Sequence, residues 1–120
     1  MQPKIDSTSF GSITVNGETF NYDILIRLNG EVEKRKKKLS KEIYGTSHKI
    51  SLEEAKHIYE EGTEKIIIGT GQTGFVTLSE EAEAFFRGKK CGVELFPTGW
   101  AIERWNELEG KISAMFHVTC

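Results

Sequence analysis

The sequence predicts an α/β fold, a single domain over residues 1–120, and three observations carry that expectation. Hairpin signals fill the first third, beginning with Asn16-Gly17, where both residues can take positive φ in a two-residue turn. From Ser51 onward helix starts and strand-like runs alternate, which implies right-handed crossovers and a mostly parallel sheet covered on both sides. Ile66-Ile67-Ile68 is apolar without alternation, as expected of a strand buried on both faces.

The Asn16-Gly17 turn sets Ile13 opposite Phe20 and Val15 opposite Glu18. In that register Ile13, Val15, Phe20, Tyr22, Ile24 and Ile26 share one face, while Ser12, Thr14, Thr19, Asn21 and Asp23 share the other. Asn29-Gly30 is a second turn. The strand after it, over 31–38, offers only Val32 to a core and reads as a solvated edge, and residues 39–50 read as a loop. Ser51-Leu52-Glu53-Glu54 is a capping box opening a helix with Leu52, Ala55, Ile58 and Tyr59 inward and Gly62 as its stop. Ser79-Glu80-Glu81 opens a second helix, with Ala82, Phe85 and Phe86 inward. Gly92–Phe96 is a short strand, and Pro97-Thr98 leads into a third helix that buries Ile102, Trp105 and Leu108 and closes at Gly110. The last strand alternates, with Ile112, Ala114, Phe116 and Val118 on one face and Ser113, Met115, His117 and Thr119 on the other.

At this length the chain buries roughly two-thirds of its unfolded surface, enough for a core without staples. A net charge of -2 argues against a protein that binds nucleic acid over its whole surface. Cys91 and Cys120 are too few for a disulfide framework. No signal peptide is visible at the start and no run reaches the ~18 apolar residues of a membrane span, so a reduced cytoplasmic protein without membrane contact is expected.

Gly69, Gly71 and Gly74 spell G-x-G-x-x-G after the isoleucine strand. A dinucleotide site needs a helix starting near the second glycine and an acidic residue about 20 positions on. Glu94 lies near the right distance, but Phe75-Val76-Thr77-Leu78 is β-prone where the helix should be, and no cofactor is expected. With strands 66–68 and 93–96 adjacent and parallel, Gly69, Thr70, Gly71 and Gln72 should meet Thr98, Gly99 and Trp100. That grouping suits a small anion or carboxylate beside the third helix's N-terminus. The competing reading is two turns that pack together and cap their own helix.

Lys34, Arg35, Lys36, Lys37 and Lys38, with Lys41 nearby, hold six of the sixteen basic residues. They fit phosphate contacts, or lysines that discourage pairing at a sheet edge. His48, in a loop before a helix, is a further candidate, against the alternative of a local hydrogen-bond partner. His117 and Cys120 at i, i+3 in a strand face opposite ways, and no compact metal-ligand set exists.

Thr46-Ser47-His48, Ile66-Ile67-Ile68-Gly69-Thr70-Gly71, Phe96-Pro97-Thr98 with Ala101, Trp105-Asn106-Glu107-Leu108 and Phe116-His117-Val118-Thr119-Cys120 occur in that order. This ordered set resembles the small family that includes the adipogenesis-associated Mth-type domain protein, whose superfamily contains a mitochondrial complex I assembly factor. The resemblance implies three layers: a mixed central sheet, helices on both sides and an added N-terminal β-hairpin layer. It implies no reaction. It points instead to a non-enzymatic binding or assembly-accessory protein with another protein as partner. A small-molecule site, enzymatic or not, at the Gly69–Gln72 crevice is the alternative, followed by weak nucleic-acid binding through Lys34–Lys38.

Overall fold

The computed structural model describes residues 2–120. Strands β1 (Ile5–Ser9), β2 (Ser12–Val15) and β3 (Glu18–Phe20) form a small antiparallel sheet. Ile13 pairs with Phe20 and Val15 with Glu18, and both turn residues have positive φ. The chain then crosses to a second sheet with β4 (Ile24–Ile26) and turns at Gly30 into β5 (Val32–Lys34). Helix α1 (Lys38–Tyr44) and the short β6 (Lys49–Ile50) follow, then α2 (Leu52–Ile58) and β7 (Lys65–Thr70). Strand β8 (Thr77–Leu78) pairs only with β6, and α3 (Glu80–Gly88) is capped by the Ser79 hydroxyl. Strand β9 (Gly92–Phe96), α4 (Thr98–Glu107) and β10 (Ile112–His117) complete the chain.

The central sheet has the order β5-β4-β10-β7-β9, with β10, β7 and β9 parallel to one another. Strand β4 runs antiparallel to β10, and β5 antiparallel to β4. From β7 to β9 the chain steps outward, and from β9 to β10 it steps back across β7. Two right-handed crossovers of opposite direction put their helices on opposite faces of the sheet. Accordingly, one core joins Ala101, Ile102 and Trp105 of α4 with Ile5, Ile13 and Val15 of the hairpin sheet. The other joins Ala55 and Ile58 of α2 with Ala82 and Phe86 of α3. Strand β10 serves both: Ile112, Ala114 and Phe116 face the first core and Met115 the second. The three-layer mixed α/β arrangement is therefore as expected.

Several local expectations are corrected. Residues 39–50 are not a loop, because they hold most of α1 and all of β6. The edge strand ends at Lys34 instead of running to 38, and Arg35 is buried. The Ser51 hydroxyl does accept from the Glu54 amide, but the Glu54 carboxylate turns away to Arg35, and the Ser51 amide donates to Ser40 Oγ. Helix α2 stops at Ile58, short of Gly62, which sits at φ 91 in the following turn. Tyr22 also leaves the apolar face proposed for it and is exposed, because the chain changes sheets at 21–23.

Candidate functional site

The glycine run follows from packing at the C-terminal end of β7. A Cβ on Gly69 would lie 2.7 Å from Phe116 Cδ1 and 3.0 Å from Thr98 Oγ1. On Gly71, at φ +110, it would lie 2.6 Å from the Cys120 carbonyl oxygen. Gly71 and Thr98 meet as the adjacent parallel strands require. The Gly71 amide donates to Thr98 Oγ1, and that hydroxyl donates to the His117 carbonyl at 2.6 Å. The Gln72 amide donates to the Thr119 carbonyl, and its side-chain amide to Thr8 and Val118. The Trp100 amide bonds to the Pro97 carbonyl, leaving the indole exposed. Gly99 has open space where a Cβ would stand, and Thr70 is buried. The amides of Gly71 and Gln72 thus serve the fold, which ties three loops and the C-terminal segment together. Glu94 is held by Arg104 and Lys65, and their hydrogen bonds bring its carboxyl down to about 2.

Sequence reading missed a buried ionic network on the opposite side of β10. Arg35 is 3% exposed. Its Nε and Nη2 bind Glu54 at 2.6 and 3.0 Å, Nη1 donates to Asp23 Oδ2 at 2.9 Å and Nη2 also reaches the Ser47 carbonyl. The Ser40 hydroxyl donates to Glu54. Asp23 accepts in addition from the Val118 amide at Oδ1, and its Oδ2 lies 2.7 Å from His117 Nδ1. A carboxylate only accepts, so Nδ1 carries the proton and Nε2 faces Thr119 Oγ1 at 3.2 Å. Burial pushes the Asp23 carboxyl up, but the bonds from His117, Val118 and Arg35 outweigh it and hold the group at about 2. One available signal was the lone arginine in a lysine run, since a guanidinium suits buried, forked pairing better than an ammonium.

Above this network opens a cleft of about 570 Å³. The ribbon 34–38 lines it together with Tyr22, Asp23 and the Val118–Thr119 segment. Lys34, Lys36, Lys37 and Lys38 all line it; Lys37 Nζ lies 3.7 Å from Asp23 Oδ2 and Lys34 Nζ 5.2 Å from the Tyr22 ring centroid. His48 is half-buried, its ring edge-on to His117 at 5.3 Å and near Phe75. The structure therefore brings His48 to the network, and the Gly69–Gln72 and Thr98 turns stand at the same end of β10, where Thr70 pairs with His117. Among the described residues no group of three His, Cys, Asp or Glu side chains is placed to hold a metal ion. No helix among them is long and apolar enough to cross a membrane.

Comparison with solved structures places this arrangement among known relatives. The conserved hypothetical protein PH1505 from Pyrococcus horikoshii OT3 is 35% identical, with a TM-score of 0.91 over 98% of this chain and 99% of its own. A protein described as MT938 is 33% identical, with a TM-score of 0.84 over 99% of this chain and 100% of its own. A Mth938-like domain protein from Bordetella pertussis shares the fold at 17% identity and a TM-score of 0.62, over 97% of this chain and 85% of its own. Comparison with curated proteins gave no match. A family profile described as protein of unknown function (DUF498/DUF598) matches residues 5–117. With that span matched and two relatives above 30% identity, the chain belongs to the DUF498/DUF598 family, the Mth-type group its ordered motifs resemble.

Proposed function

We propose that this protein is a binding accessory for another protein, docked on the end of the central sheet that carries Phe10, Phe75 and Trp100. The observation that carries the reading is their exposure, 69%, 60% and 70%, in a chain whose other aromatic rings are mostly packed. Each ring sits on a different segment of the chain. Phe10 is in the β1–β2 turn, Phe75 follows the glycine turn and Trp100 lies in the first turn of α4. Hydrogen bonds from Gln72 to Ser9 and between Gly71 and Thr98 bind those segments to one another. The aromatics therefore stand on a rigid platform, and ordering them for binding costs little conformational entropy. Exposed aromatic groups of this kind serve as anchors in protein interfaces.

The lysine-lined cleft borders the same end, since Gly11 lines it beside Phe10. Charge complementarity thus favours a partner whose apolar patch is flanked by acidic side chains. A photo-crosslinking side chain placed at Phe75 and at Trp100 in cells of the source organism tests this. The expected result is one discrete protein adduct at both sites and none at exposed Glu109, with an acidic, apolar contact segment in the adduct. Adducts at Glu109 equal to those at Trp100, or adducts only between copies of this chain, would overturn it.

A further inference from the structure

We infer that the cleft between the 34–38 ribbon and the Val118–Thr119 segment is a binding site for a small organic anion, a phosphate monoester or carboxylate with an apolar body. The inference does not rest on the docking face and would survive its failure.

Charge carries the argument first. Lys34, Lys36, Lys37 and Lys38 all line one cleft, and among the described residues of its lining Asp23 alone carries a carboxylate. That carboxylate is already committed: both oxygens accept, from Val118 at one and from Arg35 and His117 at the other. Lys37 lies 3.7 Å from Asp23, while Lys34, Lys36 and Lys38 make no ion pair among the described residues. The positive potential of the cleft is therefore largely uncompensated, and concave walls concentrate it.

Preorganisation is the second support. Arg35, locked between Asp23 and Glu54, fixes the ribbon near its start, and the Arg35 amide donates to the Asp23 carbonyl. The lysines on either side consequently project from an anchored backbone. Guarding a sheet edge explains only Lys34, because β5 ends there and Lys36 to Lys38 lie beyond it.

Shape sets the ligand class. About 570 Å³ lies within the usual range for small-molecule sites. Tyr22, 38% exposed, gives an apolar surface, and the Val118–Thr119 segment completes the lining. A ligand with an acidic head among the lysines and an apolar body against Tyr22 matches all three features.

Titration of isotope-labelled protein with phenyl phosphate, followed by amide NMR shifts, tests the site. Saturable shifts are expected at residues 36–38, Tyr22 and Thr119, with none from benzyl alcohol, the uncharged analogue. Lys36→Glu with Lys38→Glu should weaken phenyl phosphate about tenfold or more, the scale of losing one charge-assisted hydrogen bond, while leaving the rest of the spectrum in place. Citrate and an oligoglutamate peptide serve as further anions. Saturation by the peptide alone would assign the cleft to an acidic protein segment and overturn the small-anion assignment. Linear, non-saturating shifts with all three anions, or equal affinity in the double variant, would also overturn it.

Discussion

The Gly71 amide donates to Thr98 Oγ1 at 2.9 Å and the Thr98 amide donates to the Gly71 carbonyl at 2.9 Å, so loops 27 residues apart close on each other. The pair fixes the start of α4 against the end of β7, and the Thr98 hydroxyl passes the link on to the His117 carbonyl in β10. Three adjacent parallel strands are thus locked at their C-terminal ends by one side chain.

Thr98→Val keeps the shape of that side chain and removes its hydroxyl. Each buried group left unpaired costs about 1–3 kcal/mol, so urea denaturation should show a clear loss of stability. Thr98→Ser retains both bonds and should stay much closer to the parent. Gly71→Ala meets a backbone carbonyl and a left-handed φ together and should cost at least about 2 kcal/mol. Near-parental stability of Gly71→Ala would show that the C-terminal segment moves aside freely.

The same amide usage predicts no dinucleotide binding. Calorimetric titration with NAD(H), NADP(H) and FAD should give no saturable heat, because the Gly71 and Gln72 amides already bond to Thr98 and Thr119. A 1:1 isotherm abolished by a Gly71 substitution would contradict this.

Within the basic ribbon, position decides consequence. Lys36→Glu with Lys38→Glu should change stability by no more than about 1 kcal/mol, the scale of surface substitutions. Arg35→Leu leaves Asp23 and Glu54 buried without their cation and should cost about 3–5 kcal/mol. Comparable thermal midpoints for the two variants would refute the buried network.

Stability should also report on Asp23 through pH. Its carboxyl titrates at about 2 in the folded protein against an ordinary value of 3.8. The group contributes stability above about pH 4, and that contribution disappears as pH falls through about 2. The difference corresponds to about 2 kcal/mol. Chemical denaturation of the parent and of Asp23→Asn across this window should show the component in the parent and its absence in the variant.

Thiol reactivity should separate the two cysteines. Cys91 is buried, and burial pushes its thiol up to about 11, whereas Cys120 is partly accessible. Iodoacetamide near neutral pH should modify Cys120 no faster than a free cysteine in a peptide and reach Cys91 only after denaturation. Rapid labelling of Cys91 in the native protein would show that α3 and β9 separate readily.

Elements and their partners could be read from the residues wherever the cause was local. Asn16-Gly17 set a hairpin register that tertiary packing had no reason to alter, and Ser79 capped its helix as its hydroxyl requires. Alternation in β10 assigned Ile112, Ala114 and Phe116 to one core and Met115 to the other, since side chains on a strand must alternate. The juxtaposition of Gly71 with Thr98 was legible too, because one helix between β7 and β9 allows them to be parallel neighbours. What the polar residues do depends on long-range packing. Asp23, Arg35, Glu54 and His117 come from four separate parts of the chain, and nothing local distinguishes a carboxylate facing solvent from one facing a buried guanidinium. Their meeting depends on β4 pairing with β10 while α2 lies over that edge, which turned a lysine run into one buried anchor flanked by lysines along a cleft. The glycines followed the same logic: their spacing was visible, but the Cys120 carbonyl and the Phe116 ring that forbid a side chain there arrive from the far end of the sequence.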